Sequence, residues 1–326
     1  MDKSSADAFV FAKASGMLAR SFVGSRAENL FNAKKLSELW TLLFLDEVPL
    51  IPDALMAKEI EKKAEKKFID EFTMLLGCYS KASDVCLALL KFYDCNNLRS
   101  IVYALSEEEK SLPELVDIGK YSELKLSEWP NLEKITSKGM FSWYKSIPNL
   151  EEQSNIEHKL DFQYLSYLWK AVNDLPLAEK HPVKEFIQEK IILDNCIWAL
   201  RLRVYYQMKK EDVISRLFNL DCESPFEDKL CAEALKILDF DLDTYTDWYK
   251  WKYNFLINEN NEGDVWLIDP IWVQQNAKIY LSKKAYKSFR QHPFTVNVLV
   301  TWFFIKQHEL DCIRSAAEEL RLNSNI

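Results

Sequence analysis

The stretch KFYDCNNLRSIVYAL, residues 91–105, sets a compact group of polar side chains among the apolar positions of a helical segment. A similar sequence motif recurs in KIILDNCIWALRLRVYY at residues 190–206 and in KQHELDCIRSAAEEL at residues 306–320. The copies lie farther apart than the roughly 20–50 residues of ordinary solenoid repeats. Each copy therefore predicts the closing helix of a whole subdomain, and the chain is expected to hold three related helical subdomains.

The three copies align when Arg99, Trp198 and Arg314 are placed in register. The polar positions around them could form a seam between subdomains, where amide and guanidinium groups satisfy helix-end carbonyls, or they could line a binding surface. We favour the seam, because an arginine that emerges from an apolar helix face usually finds an internal partner or reaches water through its long stem. The candidate seam or interface residues are Asn96, Asn97, Arg99, Asn195, Trp198, Arg201, Asp311 and Arg314.

The composition favours an all-α fold. A chain of 326 residues exceeds the roughly 250–300 residues at which one hydrophobic core stops growing, and 48% of its residues are hydrophobic. It holds only 6 glycines and 10 prolines. An all-β protein of this length would need many more tight turns, which draw on those two residue types.

Two polar breaks divide the chain. The link SEEEKSLPEL follows the first copy of the motif, and DCESPFEDKL follows the second copy. Clusters of this kind between periodic segments mark loops. We therefore predict three helical subdomains at residues 1–113, 114–222 and 223–326.

The charge and the apolar runs argue against several classes of function. The formal net charge of −8 disfavours a general affinity for nucleic acid, whose phosphates need clustered Lys and Arg, and for an anionic membrane surface. The longest apolar run, VNVLVTWFFI at residues 296–305, is far shorter than the ~20 residues that cross a bilayer. The N-terminal segment lacks the continuous apolar core of a signal peptide, so a cytosolic protein without membrane insertion is expected.

The residues that commonly carry chemistry do not converge in the sequence. The 7 cysteines form no CxxC pair, and the 4 histidines have no metal-ligand spacing. The best alternative is DFDLDTYTD at residues 239–247, whose clustered aspartates could hold Mg²⁺ for phosphate chemistry, although the helix-borne DDxxD arrangement of such enzymes is missing. We therefore predict no catalytic residue, no cofactor and no metal site. The lack of a glycine-rich phosphate loop predicts that the chain does not hydrolyse ATP itself.

The order of three motifs is similar to that of a known family. The N-terminal FAKASGMLARSFVG resembles the family's opening helix, DCNNLRSIVYAL resembles its first polar motif, and PFTVNVLVTWFFIKQHELDCIRSAAEEL resembles its terminal pattern of an apolar helix, an acidic residue and an Ile-Arg pair. On these stretches the chain resembles the C-type subunits of bacterial and archaeal V/A-type rotary ATPases, the counterparts of the d-type subunits of eukaryotic V-ATPases. The resemblance covers most of the chain, with anchors at both ends and in the middle.

The resemblance implies a funnel-shaped all-α protein in which three helical-bundle subdomains have a pseudo-threefold arrangement. Such a protein sits on the cytoplasmic end of the membrane rotor ring of proteolipid subunits and receives the central shaft, built from the D and F subunits, in its cavity. It has no catalytic residues and couples the ring to the shaft during ATP-linked H⁺ or Na⁺ transport. The expected location is therefore the cytoplasmic face of the membrane, as a peripheral part of the central stalk.

The competing interpretation is a generic all-α scaffold that binds a protein partner in a concave surface. Such a scaffold would share the composition and the helical repeat, so the partner decides between the two interpretations. A rotor subunit must hold a membrane ring and a coiled-coil shaft, whereas a generic scaffold need bind neither.

Overall fold

Helices and the turns between them make up the structure. The computed structural model describes residues 2–260 and 265–323, and within these two ranges no β-strand occurs, so the predicted all-α fold class is confirmed. The α-helices are α1 (Lys3–Arg20), α2 (Glu28–Phe31), α3 (Leu36–Leu43), α4 (Asp53–Leu76), α5 (Asp84–Ser106), α6 (Leu132–Ile135), α7 (Leu150–Asn173), α8 (Leu177–Val204), α9 (Lys210–Ile214), α10 (Ala232–Ile237), α11 (Pro270–Gln291) and α12 (Asn297–Asn323). Short 3-10 helices lie at Gly24–Ala27, Gly119–Tyr121, Leu126–Glu128, Gly139–Phe141, Tyr245–Lys250 and Asn254–Leu256.

The chain forms two compact units. Unit 1 comprises Met1–Ile147 and Ala285–Ile326, and unit 2 comprises Pro148–Lys284. One compact unit can hold more than one helical bundle. The predicted boundaries at residues 113 and 222, and the pseudo-threefold funnel, therefore stay predictions.

The core of unit 1 lies between α4 and α12. Trp302 and Phe303 of α12 are buried against Phe68 and Phe72 of α4. The rings of Phe72 and Trp302 stack with centroids 6.0 Å apart and planes 9° apart, and the ring of Phe303 lies 5.1 Å from that of Phe68. Because burying one phenylalanine side chain is worth roughly 1.5–3 kcal/mol, these rings fix α12 on α4.

Helix α1 packs against α12 in the same unit. It begins after the N-cap Asp2, whose carboxylate accepts the backbone N–H of Ser5 at 3.0 Å. Its buried side chains include the small Ala6 and Ala14, which allow a close approach between helices. The chain leaves the helix at Ser21 in an extended conformation, and this segment lies beside α12.

Helix α8 organises unit 2 and packs against α7, α9 and α10. The chain that follows α10 buries its aromatic side chains in 3-10 turns instead of long helices. There Trp248 and Trp251 lie almost perpendicular, with ring centroids 5.8 Å apart, and the indole N–H of Trp248 donates to the carbonyl of Asp241 at 2.9 Å. The backbone of the aspartate-rich stretch therefore supports an aromatic core.

Candidate functional site

The first copy of the motif uses Asn97 as a clamp on the chain that follows α5. Asn97 is 4% exposed, its Nδ2 donates to the carbonyl of Val116 at 2.7 Å, and its Oδ1 accepts the backbone N–H of Val116 at 2.9 Å. The side-chain amide thus pairs with both polar groups of one residue. Asn96 and Arg99 are half-buried, and Arg99 Nη1 donates to Asn96 Oδ1 at 3.0 Å.

The second copy uses Asn195 of α8 in the same way. Asn195 is fully buried, its Nδ2 donates to the carbonyls of Phe218 and Leu230 at 3.2 and 3.0 Å, and its Oδ1 accepts the backbone N–H of Phe218 at 2.8 Å. The predicted register pairs Asn195 with Asn96. The contacts instead make Asn97, one position later, the counterpart of Asn195. A buried amide left without partners would cost about 1–3 kcal/mol, so each asparagine specifies where its loop lies.

Trp198 and Arg201 lie farther along α8 and are half-buried. Arg201 Nη2 donates to the side-chain oxygen of Gln274 in α11. In the described part of the chain, Trp198 Nε1 and Arg201 Nε make no hydrogen bond. These two predicted residues therefore contribute one polar contact between α8 and the first turns of α11.

The third copy lies on the side of α12 that faces α4. Arg314 Nη2 donates to Glu65 Oε1 at 2.7 Å, and other guanidinium nitrogens lie 4.0 Å from Glu61 and 3.9 Å from Asp311. Burial raises the pKa of Glu61, against the lowering effect of Arg314. The predicted residues make all these contacts within unit 1 or within unit 2, and their role as an interface stays a prediction.

A buried ion pair that sequence reasoning missed lies one turn before the Asn97 clamp. Lys91 and Asp94 are 4% and 0% exposed, and Lys91 Nζ lies 3.2 Å from Asp94 Oδ2. The carboxylate of Asp94 accepts the hydroxyl of Ser122 at 2.7 Å and the backbone N–H of Glu123 at 2.9 Å. Lys91 donates to the carbonyl of Tyr121 at 2.9 Å and lies 3.0 Å from the carboxylate of Glu123. We call these five residues the Lys91 cluster.

A related arrangement occurs in α12. Lys306 and Glu309 are 7% and 5% exposed and form an ion pair. Glu309 accepts the backbone N–H of Phe22 at 2.5 Å, and Lys306 donates to the hydroxyl of Ser21 at 3.0 Å. Lys306 Nζ also lies 3.4 Å from the carboxylate of Glu71 in α4. We call these residues the Lys306 cluster, and, as in the Lys91 cluster, a serine and the backbone N–H that follows it dock on a lysine–acid pair.

The sequence pattern of both clusters is present in the first and third copies of the motif. A lysine is followed by an acid three residues later and by an aliphatic–arginine pair at seven and eight residues. Because lysine–acid pairs three apart are also common on exposed helix faces, the spacing by itself does not predict burial. The matched residues are Lys91, Asp94, Leu98 and Arg99 in α5, and Lys306, Glu309, Ile313 and Arg314 in α12.

Unit 2 has a buried charge of its own, Glu189 of α8, which is 8% exposed. Its carboxylate accepts the hydroxyl of Tyr280 at 2.9 Å and pairs with Lys284, both on α11. Burial acts to raise the pKa of Glu189, but the hydrogen bonds from Lys284 and Tyr280 hold it below its usual value. The balance is reversed at Asp94, where burial raises the pKa of the carboxyl despite the hydrogen bond from Ser122.

A cavity of about 320 Å³ opens beside the Lys306 cluster, within unit 1. Its walls come from α1, α4, α12 and the segment that follows α3, and its apolar lining includes Met17, Phe22, Phe44, Phe68, Leu310 and Ile313. Ser21, Glu71, Lys306 and Glu309 form the polar part of the wall. Oε2 of Glu71 is buried and accepts no hydrogen bond from the described residues, although the ammonium of Lys306 lies nearby.

Two arginine or lysine side chains complete the lining of this cavity, Arg20 at the end of α1 and Lys67 in the middle of α4. Both are exposed. Neither makes an ion pair or a side-chain hydrogen bond with a residue that the structure describes. The cavity therefore combines an apolar interior with two cations that pair with none of the described side chains.

The described residues contain no group of three or more His, Cys, Asp or Glu that could hold a metal ion. In the aspartate-rich stretch, the side chain of Asp239 pairs with Lys210 instead. None of the helices in residues 2–260 and 265–323 combines the length and the hydrophobicity of a membrane span.

One family model matches nearly the whole chain. The sequence model described as ATP synthase (C/AC39) subunit matches residues 10–325. A relative from Treponema pallidum (strain Nichols), which carries the name "Uncharacterized protein", is 26% identical over 324 residues. The alignment with this relative covers 99% of the present chain and 95% of the relative, so the two proteins are similar over nearly their whole lengths.

Proposed function

The chain belongs to the ATP synthase (C/AC39) subunit family of V/A-type ATPases, and on this premise we propose that it is the non-catalytic central-stalk component that couples the membrane rotor ring to the central shaft. The observation that carries the proposal is the family match over residues 10–325, which includes all three copies of the motif. The proposal places the chain on the cytoplasmic face of the membrane, as a peripheral part of the complex.

The buried polar clusters support a mechanical role. A protein that transmits torque needs helices whose relative positions do not slip under load. The Lys91 and Lys306 clusters tie α5 and α12 to other segments of unit 1, and Glu189 ties α8 to α11 in unit 2. Removing one partner of a buried ion pair costs about 3–5 kcal/mol, so such clusters penalise alternative packings strongly.

The Lys91 cluster itself is suited to packing and not to acid–base catalysis. A general acid or base must be able to reach a substrate, whereas the acid of the Lys91 cluster is 0% exposed and hydrogen-bonded on both oxygens. We assign ATP hydrolysis and ion translocation to other subunits of the complex. In the proposal this chain contributes positioning and stiffness.

We further propose that the three predicted subdomains, residues 1–113, 114–222 and 223–326, surround a socket for the central shaft, built from the D and F subunits. The proteolipid ring would bind the other end of the funnel. The all-α fold, which provides stiff walls, is consistent with this arrangement. Copies of the motif in α5, α8 and α12 would then fix equivalent helices around a shared axis.

The proposal is tested by affinity purification of the tagged chain from detergent-solubilised membranes. We expect ring and shaft subunits to be recovered together with the chain. Recovery of neither would remove the coupling role and leave the generic scaffold. A tagged Asp94→Ala variant, whose α5 contacts are broken, serves as a control for interactions that do not depend on the native fold.

A further inference from the structure

The cavity beside the Lys306 cluster has features that the coupling role does not explain. Its polar wall is preformed, because Lys306, Glu309 and Ser21 already satisfy one another. Its apolar wall is open to an occupant, and its volume of about 320 Å³ lies at the lower end of the roughly 300–1,000 Å³ of ligand pockets. The space suits one or two side chains better than a large cofactor.

The charge of the cavity is opposite to that of the protein. Arg20, Lys67 and Lys306 line it together with Glu71 and Glu309, so its formal charge is one positive unit in a chain of net charge −8. The two carboxylates already face the buried ammonium, which leaves the two exposed cations unneutralised by the described residues. A cation at the end of α1 is favoured by the helix dipole, but this does not account for the cation in the middle of α4.

The apolar surface continues out of the cavity. Leu45 lines it and is nevertheless fully exposed at 106%, and Leu42, on the last turn of α3, is 41% exposed. An occupant that covers these side chains must extend over the rim. A small ligand confined to the cavity would leave them in water, whereas a polypeptide segment would cover them.

We propose that this cavity docks a segment of a partner protein that presents one or two large apolar side chains flanked by Asp or Glu residues. The apolar side chains enter between Met17, Phe68 and Leu310, and the carboxylates meet Arg20 and Lys67 at the mouth. The inference does not depend on the coupling role, because it specifies the chemistry of the docked segment and not the complex to which the partner protein belongs.

The test uses site-specific photocrosslinking in cells with the full chain. Leu45→p-benzoylphenylalanine places the reactive group at the cavity rim, and the same replacement at Leu150, which is 91% exposed in unit 2, is the control. Crosslinked peptides are identified by mass spectrometry. We expect position 45, but not position 150, to capture a segment that contains large apolar and acidic residues.

The charge requirement is tested in the same experiment with two double variants. Arg20→Glu with Lys67→Glu is expected to lower the crosslinked fraction about tenfold, which corresponds to about 1.4 kcal/mol. Arg20→Lys with Lys67→Arg preserves the charge and should keep the crosslink. Both positions are exposed, so the variants are expected to fold, and thermal unfolding checks this.

Four outcomes overturn the inference: no crosslink from position 45, a crosslink to lipid, a crosslink to a basic or uncharged segment, or a crosslink that charge reversal leaves unchanged. Copurification with ring and shaft subunits is measured on the same cells. Normal copurification without a crosslink contradicts this inference alone. A crosslink to an acidic segment of a protein outside the ATPase supports the inference, and copurification alone then decides the coupling role.

Discussion

The Lys91 cluster of α5 and the Lys306 cluster of α12 share one sequence pattern and have similar contacts, although the serine hydroxyl donates to the acid in the first and accepts from the lysine in the second. Their surroundings differ. The first is enclosed by the segment at residues 121–123, which supplies a hydroxyl, an N–H and a carboxylate. The second borders a cavity and faces a second carboxylate from α4. In both clusters the buried lysine–acid pair binds a serine hydroxyl and the backbone N–H of the next residue. The neighbouring segments decide whether the pair is fully enclosed, as in the Lys91 cluster, or borders a cavity, as in the Lys306 cluster. We call the first cluster closed and the second open.

The largest effect is expected when the closed cluster loses its acid. Asp94→Ala leaves the hydroxyl of Ser122 and the N–H of Glu123 without their acceptor and Lys91 with one carboxylate instead of two. We expect the free energy of unfolding, measured by urea denaturation, to fall by about 3–5 kcal/mol. Asp70→Ala, at an exposed position of α4, is the control and should change it by less than about 0.5 kcal/mol. Equal losses for the two variants would show that the cluster contributes nothing.

The matching change in the open cluster should cost less. Glu309→Ala frees only one backbone N–H, that of Phe22, and water from the cavity can reach it, while Lys306 keeps the carboxylate of Glu71. We expect a loss of about 2–3 kcal/mol in the same urea experiment. A loss equal to or greater than that of Asp94→Ala would contradict the distinction between a closed and an open cluster.

Asn97 in unit 1 and Asn195 in unit 2 allow the same type of side chain–backbone contact to be compared between the two units. Asn195→Ala breaks three hydrogen bonds to backbone and Asn97→Ala breaks two, so we expect losses of about 2 and about 1 kcal/mol. Hydrogen exchange measures each loss locally, at the amide of Phe218 for the first variant and of Val116 for the second. Each variant serves as the control for the other. Faster exchange at both amides in either variant would show global unfolding instead of a broken clamp.

The pH dependence should have opposite signs at Asp94 and Glu189. The pKa of Asp94 is raised, so between the usual aspartate pKa of about 3.9 and its folded value the native state binds more protons, and its contribution to stability falls as pH rises. The pKa of Glu189 is lowered, so its contribution is present above about pH 4.3 and is lost as pH falls through the folded value. Carbon-detected NMR titration of the two carboxyls measures both directions, and shifts of the same sign would contradict the difference in their surroundings.

The smallest effect on stability is expected at the arginines that end the two patterns. Arg314 is 39% exposed at its side chain, so its pairs with Glu61 and Glu65 are screened by water, and Arg314→Ala should cost less than about 1 kcal/mol.

For Arg99→Ala we expect intact folding together with weaker assembly or less ion transport per ATP hydrolysed. Unchanged stability, assembly and transport would show that Arg99 has no role in coupling.

The fold class followed from physical features that act locally. Few glycines and prolines, together with helical spacing in long segments, leave little alternative to helices, and the structure has helices where the motif copies lie. The division into subdomains is harder, because it depends on contacts between segments far apart in sequence. Unit 1 itself joins the first 147 residues to Ala285–Ile326, which holds the end of α11 and all of α12.

The candidate residues show where sequence reasoning stops. Asn97 and Asn195 stood out as polar residues in a motif that recurs among apolar positions, but their partners, Val116 and Phe218, cannot be identified from spacing. Lys91 opens the first copy of the motif and gave no signal, because a lysine–acid pair three residues apart looks the same whether it is exposed or 4% exposed. The cavity could not be predicted at all, since four separate segments form it.

The coupling role is tested most directly by measuring ATP hydrolysis and ion transport in the same membrane vesicles, with and without the chain. Vesicles that lack the chain are expected to hydrolyse ATP without building an ion gradient, and adding the purified chain back should restore transport. The Arg99→Ala variant added at the same concentration provides the matched comparison. Full ion transport in vesicles that contain none of the chain would contradict the proposed function.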